Sequence, residues 1–122
     1  MEPPLDPILH QAQRLRIMTL LFKNRELAVA TIKRQLSMTD GNLASHLARL
    51  EDAAYVKTGH VLVGLSFESH AKITQQGSEA FRGYLQALRR ILEELPDALV
   101  PTGSIPEASG PGVVDLGRQD VP

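Results

Sequence analysis

The chain has 122 residues, enough for one small domain or one domain with a tail. Thirteen Lys and Arg against fourteen Asp and Glu leave a formal charge of −1, which excludes a histone-like basic coat and confines any nucleic-acid site to a local patch. The absence of Cys excludes disulfides and thiolate metal sites, and no apolar run approaches the roughly eighteen residues a membrane helix needs. The N-terminal Met-Glu-Pro-Pro lacks the basic-then-apolar pattern of a signal peptide, so the expected location is cytoplasmic.

Leu5, Ile8, Leu9, Ala12, Leu15, Ile17, Met18, Leu21 and Phe22 recur at helical spacing and predict a first helix over residues 5–22, with Pro7 in its first turn. A short second helix fits Ala30 to Leu36, with Ile32 and Leu36 inward. Ser37-Met38 then makes a tight corner. Thr39 is a good N-cap for a third helix over about 39–52, and Asp40 suits the positive end of its dipole. Leu43, Leu47 and Leu50 form the buried stripe of that helix; Asn42, Ser45, His46 and Arg49 lie on its other face.

After Ala53-Ala54 the period falls to two. Tyr55 to Val63 and Leu65 to Ile73 predict a two-stranded hairpin turning at Gly64, with Val61, Val63, Phe67 and Ile73 packed on the helices. Thr74 caps a fourth, long helix whose stripe runs Ala80, Phe81, Tyr84, Leu85, Leu88, Ile91, Leu92 and Leu95, up to Pro96. Residues 96–122 hold five of the eight prolines and a net charge of −3, and read as a disordered tail. The domain over 1–95 then carries twelve basic against ten acidic residues.

Helix, helix, corner, helix, hairpin, helix is the order of a winged helix-turn-helix, a mainly α fold with a small β-hairpin (α+β). The run Thr39-Asp40-Gly41-Asn42-Leu43, Ser45-His46-Leu47, Leu50-Glu51, Ala53 and Tyr55-Val56 resembles the small prokaryotic winged-helix transcriptional regulators related to the MarR and ArsR families. The resemblance covers about Leu5 to Leu95. It implies a dimeric, non-enzymatic, DNA-binding repressor or activator. Ala54 stands where the group usually has Gly, and Ser37 replaces a common corner Gly. The larger departure is the wing. Relatives carry an Arg-rich tip, whereas this chain reads Gly64-Leu65-Ser66-Phe67-Glu68-Ser69, and Glu68 would repel phosphate.

These patterns nominate Thr39, Asn42, Ser45, His46 and Arg49 of the third helix, with Lys33 and Arg34 of the second, as contacts to double-stranded DNA. Arg14, Arg16, Lys23, Arg25, Lys33 and Arg34 oppose only Glu26 between residues 14 and 34, and read as a phosphate-facing rim or a solvated surface. Leu88, Ile91, Leu92 and Leu95 exceed what a core of this size covers and predict a homodimer seam. His60, His70 and Glu68 lack a third good ligand on one face, so neither a metal nor a cofactor is expected. No nucleophile–base spacing, Gly-rich phosphate loop or H-E-x-x-H occurs, so no enzymatic activity is expected. A second reading stays open: a winged-helix interaction module that binds a protein partner through Leu65 and Phe67 of the non-basic wing, with weak or no DNA binding.

Overall fold

A computed structural model describes residues 4–99. Helix α1 spans Ala12–Asn24, shorter than the apolar spacing from Leu5 predicts. The cause is Asp6. Its carboxylate accepts from the Ile8 amide (2.8 Å) and its carbonyl from the His10 amide (2.7 Å), closing a separate turn behind Pro7. Gln11 is then extended (φ −153°), and its side chain caps α1 by accepting from the Arg14 amide. The turn still delivers Leu9 to the core, where it is fully buried. The second Asp6 oxygen accepts from the Tyr55 hydroxyl at 2.5 Å. Burial first, then Asp6, pushes that phenol up to about 12, so it remains a donor at neutral pH.

A short strand that the sequence reading missed, β1 (Glu26–Ala28), leads directly into α2 (Val29–Leu36). Ile32 of α2 is fully buried, and Ser37 ends the helix in the left-handed region (φ 53°). Helix α3 spans Asp40–Asp52, as the cap and the leucine period predict. The Thr39 hydroxyl accepts from the Asn42 amide at 3.1 Å, and Leu43, Leu47 and Leu50 are all buried.

The end of α3 shows what Ala54 costs. The Tyr55 amide donates to Leu50 and the Ala54 amide to Glu51, a Schellman pair that requires a left-handed residue between. Ala54 takes that role at φ 66°. Left-handed backbone penalises a Cβ by about 1–2 kcal/mol, partly offset by the looser unfolded chain of glycine. Ala54→Gly is therefore expected to stabilise the fold by about 0.5–1 kcal/mol, read as a higher urea midpoint at unchanged slope.

The hairpin strands are β2 (Val56–Val63) and β3 (Ser66–Ile73), turning at Gly64 with φ 62°. Val63 opposes Ser66 at the tip and Val56 opposes Ile73 at the base. β1 adds to the other edge of β3, so the sheet has three antiparallel strands in the order β1-β3-β2. The expected packing of Val61, Val63 and Phe67 is corrected here: all three are exposed, Phe67 by 69%. Only the hairpin base, at Val56, Ala71 and Ile73, reaches the helices. Eight residues at about 3.3 Å each carry the tip beyond them.

Helix α4 spans Gln75–Glu93. Thr74 ties its start to the end of α3, accepting from the Gly77 amide and donating to the Ala54 carbonyl. The chain divides into two compact units after Leu88. In the first, Phe81 and Tyr84 are buried and Leu88 packs partly against the core formed by Ile17, Met18, Leu21, Leu43, Leu50 and Ile73. In the second, Arg89 pairs with Glu93 one turn on, and Asp97–Leu99 form a 3-10 turn. Most of the expected tail, residues 100–122, lies outside the described residues. No helix among the described residues is long and apolar enough to cross a membrane.

Candidate nucleic-acid interface

On α3, Asn42, Ser45 and Arg49 are exposed and fall at i, i+3 and i+7, one face of the helix. Thr39 stands at the helix start with its hydroxyl committed to the cap. Lys33 of α2 lies 2.9 Å from Asp40, so part of its charge is already answered at the surface. Arg34, in the last turn of α2, is exposed. Glu51 turns away from that face: it accepts from the hydroxyl and amide of Thr58 on β2.

His46 is only half-buried and is not a free surface group. Its Nδ1 lies 3.1 Å from a guanidinium nitrogen of Arg14. Arginine only donates, so Nδ1 accepts and the ring proton sits on Nε2. Burial, then Arg14 and Arg49, lowers the His46 pKa and keeps the ring neutral. Arg14 is 7% exposed, and its Nε donates to the Ile8 carbonyl at 2.6 Å. The rim between residues 14 and 34 is therefore not a uniform surface: one of its members is a buried brace between α1 and α3. The early start of the Asp6 turn leaves the Ile8 carbonyl without a helical partner, and Arg14 supplies it. Helical spacing carried a signal for this, since Arg14 falls on the face of Ile17, Met18 and Leu21.

The wing departs from a phosphate clamp in a second way. Leu62, Leu65 and Phe67 are exposed at its tip. Glu68 is held by His70: Nε2 of His70 is 3.2 Å from Glu68, and Nδ1 is 2.8 Å from Glu26 on β1. A carboxylate at each nitrogen favours the imidazolium form, in which both nitrogens donate. Glu26 first, then Glu68, raises its pKa above the ordinary 6.5. A raised folded-state pKa means the contribution is complete below the unfolded value and is lost as pH rises through the folded value. Lowering the pH from about 8 to about 6 is expected to protect the amides of the β1–β3 edge from hydrogen exchange, after correction for the intrinsic rate. In Glu26→Gln most of that added protection should vanish.

Residues 13–92 match the family model described as winged helix DNA-binding domain. The chain belongs to this family. A transcriptional regulator homologue from Pyrococcus horikoshii OT3 is 32% identical, with a TM-score of 0.68 over 71% of this chain and 86% of its own. The uncharacterized protein MJ0432 of Methanocaldococcus jannaschii is 28% identical over 88 residues, 72% of this chain and 96% of its own length. Reduced AbfR bound to DNA shares the fold alone, at 19% identity and a TM-score of 0.62 over 75% of this chain and 64% of its own. The family match agrees with the winged-helix resemblance that the Thr39–Val56 run carries.

Proposed function

We propose that this winged-helix domain is a dimeric transcriptional regulator that sets α3 in the major groove of DNA. The observation that carries the reading is the exposed face of Asn42, Ser45 and Arg49, braced from behind by Arg14 through His46. Asn42 suits the edge of adenine, and Arg49 suits guanine or a phosphate. Lys33 and Arg34 supply backbone contacts of no sequence preference. The protein acts by binding rather than by catalysis, in the cytoplasm where its operator lies. We assign this function to residues 1–95 and none to 96–122.

Two copies joined through Leu88, Ile91, Leu92 and Leu95 would present their α3 helices to half-sites about 34 Å apart. Ile91, Leu92 and Leu95 are each exposed by more than 40%, which favours that seam. The double variant Ile91→Glu with Leu92→Glu is expected to sediment as a monomer at concentrations where the parent sediments as a dimer. A parent that sediments as a monomer at micromolar concentration contradicts the seam.

Duplex binding tests the main reading. The logarithm of affinity should fall linearly with the logarithm of salt, at about 0.9 per phosphate contacted. A flat salt response favours the second reading, in which the exposed Leu62, Leu65 and Phe67 of the wing bind protein.

A further inference from the structure

A cleft of about 490 Å³ lies on the sheet face away from the core, beside the start of α4. Four cations line it: Arg25, Lys57, Lys72 and Arg82. Lys57 and Lys72 are directly opposite each other on β2 and β3. Like charges at such a position repel and destabilise the pair. Here the nearby carboxylates are engaged elsewhere. Glu26, which opposes Lys72 from β1, is bonded to His70. Glu79, the single acidic residue of the cleft, accepts from Gln75. Among the described residues none of the four cations has a carboxylate within ion-pair distance.

One of these cations is held in place by an aromatic ring. The Arg82 guanidinium lies over the Phe22 ring, 5.2 Å from its centre, a contact that orients the fork. Thr74, Gln75 and Ser78 line the wall at the first turn of α4. That turn carries no acidic residue, and the positive end of the helix dipole adds positive potential. Ser78 is buried in that wall. No residue of α3 lines the cleft, so it is separate from the groove-facing set.

We propose that this cleft binds a small multivalent anion, a phosphate-bearing or polycarboxylate molecule, and that the anion supplies the charge missing between Lys57 and Lys72. Arg25 follows α1, Lys57 and Lys72 stand at the base of the wing, and Arg82 sits on α4. A bound anion thus ties the wing to the helix that carries the apolar seam. The binding itself does not rest on the DNA reading.

The test is calorimetric titration of the full chain with inorganic pyrophosphate, and separately with citrate, in buffer free of nucleic acid. At least one is expected to bind with a Kd below about 1 mM, and Lys57→Gln with Lys72→Gln should weaken it about tenfold or more. Arg34→Gln, outside the cleft, should leave it unchanged. Glu79→Gln removes the one opposing charge and should tighten binding severalfold; this gain keeps the test decisive if the double variant folds poorly. Absence of binding by both anions, or equal losses in the Arg34 and lysine variants, overturns the site. Duplex affinity separates the two sources of phosphate. If the lysine variants lose duplex affinity while pyrophosphate neither binds nor competes, the cleft contacts the DNA backbone and the small-anion assignment is wrong.

Discussion

Gly77→Ala is expected to destabilise the protein by more than about 3 kcal/mol, beyond the usual range for overpacking. A Cβ at Gly77 would lie 2.1 Å from the Tyr55 carbonyl oxygen and 2.9 Å from its carbon. The obstacle is backbone, and that backbone is fixed from three sides. The Tyr55 carbonyl accepts from the Thr74 amide, the Tyr55 amide closes the end of α3, and the Tyr55 hydroxyl reaches Asp6. Relief would require α4 to move off the base of the wing. For a domain of this size the loss corresponds to a fall in Tm of well over 10 °C, at about 4–8 °C per kcal/mol. A change under about 0.5 kcal/mol, the range of neutral surface substitutions, would show that the contact yields easily.

Arg49→Ala is expected to weaken binding to a preferred duplex by about 1–3 kcal/mol and to relax the preference at one base pair, as loss of a bidentate base contact does. Arg49 is exposed and makes no ion pair among the described residues, so its truncation should leave the melting midpoint close to that of the parent. Removing Arg49 also withdraws one of the charges that hold the His46 pKa down. The His46 pKa should therefore rise in the variant, which NMR titration of the ring can follow. Equal weakening across all duplex sequences would assign Arg49 to a phosphate instead.

Helix α3 was legible because every level agreed. Thr39 caps, Asp40 suits the dipole, three leucines keep one period, and the Ser37-Met38 corner places them in order. The start of α1 was not legible, because Leu5, Ile8 and Leu9 keep helical spacing through a turn that Asp6 closes separately. Apolar spacing reports which side chains go inward, and a turn followed by a helix satisfies it as well as one helix does. Strand β1 has three residues, too few for a period of two to be read, and its existence depends on β3 arriving from far along the chain.

The wing shows the converse. Leu65, Phe67, Ala71 and Ile73 alternate correctly for a strand, yet only the last two meet a helix. Alternation specifies a face without specifying what covers it. The exposed face of α3 could be named from its spacing, whereas the Arg14–His46 brace and the convergence of Arg25, Lys57, Lys72 and Arg82 come from the tertiary fold. In place of the Arg-rich tip of its relatives, the wing presents an exposed apolar tip and a Glu68 held by His70. The proposed DNA contacts therefore rest on the face of α3 with the end of α2.

Backbone amide shifts of the labelled protein, followed as an enriched duplex is added, test this account most directly. It predicts the largest perturbations at Asn42, Ser45, His46 and Arg49, with smaller ones at Lys33 and Arg34. Perturbations confined to Leu62, Leu65 and Phe67, with the amides of α3 unmoved, would contradict it.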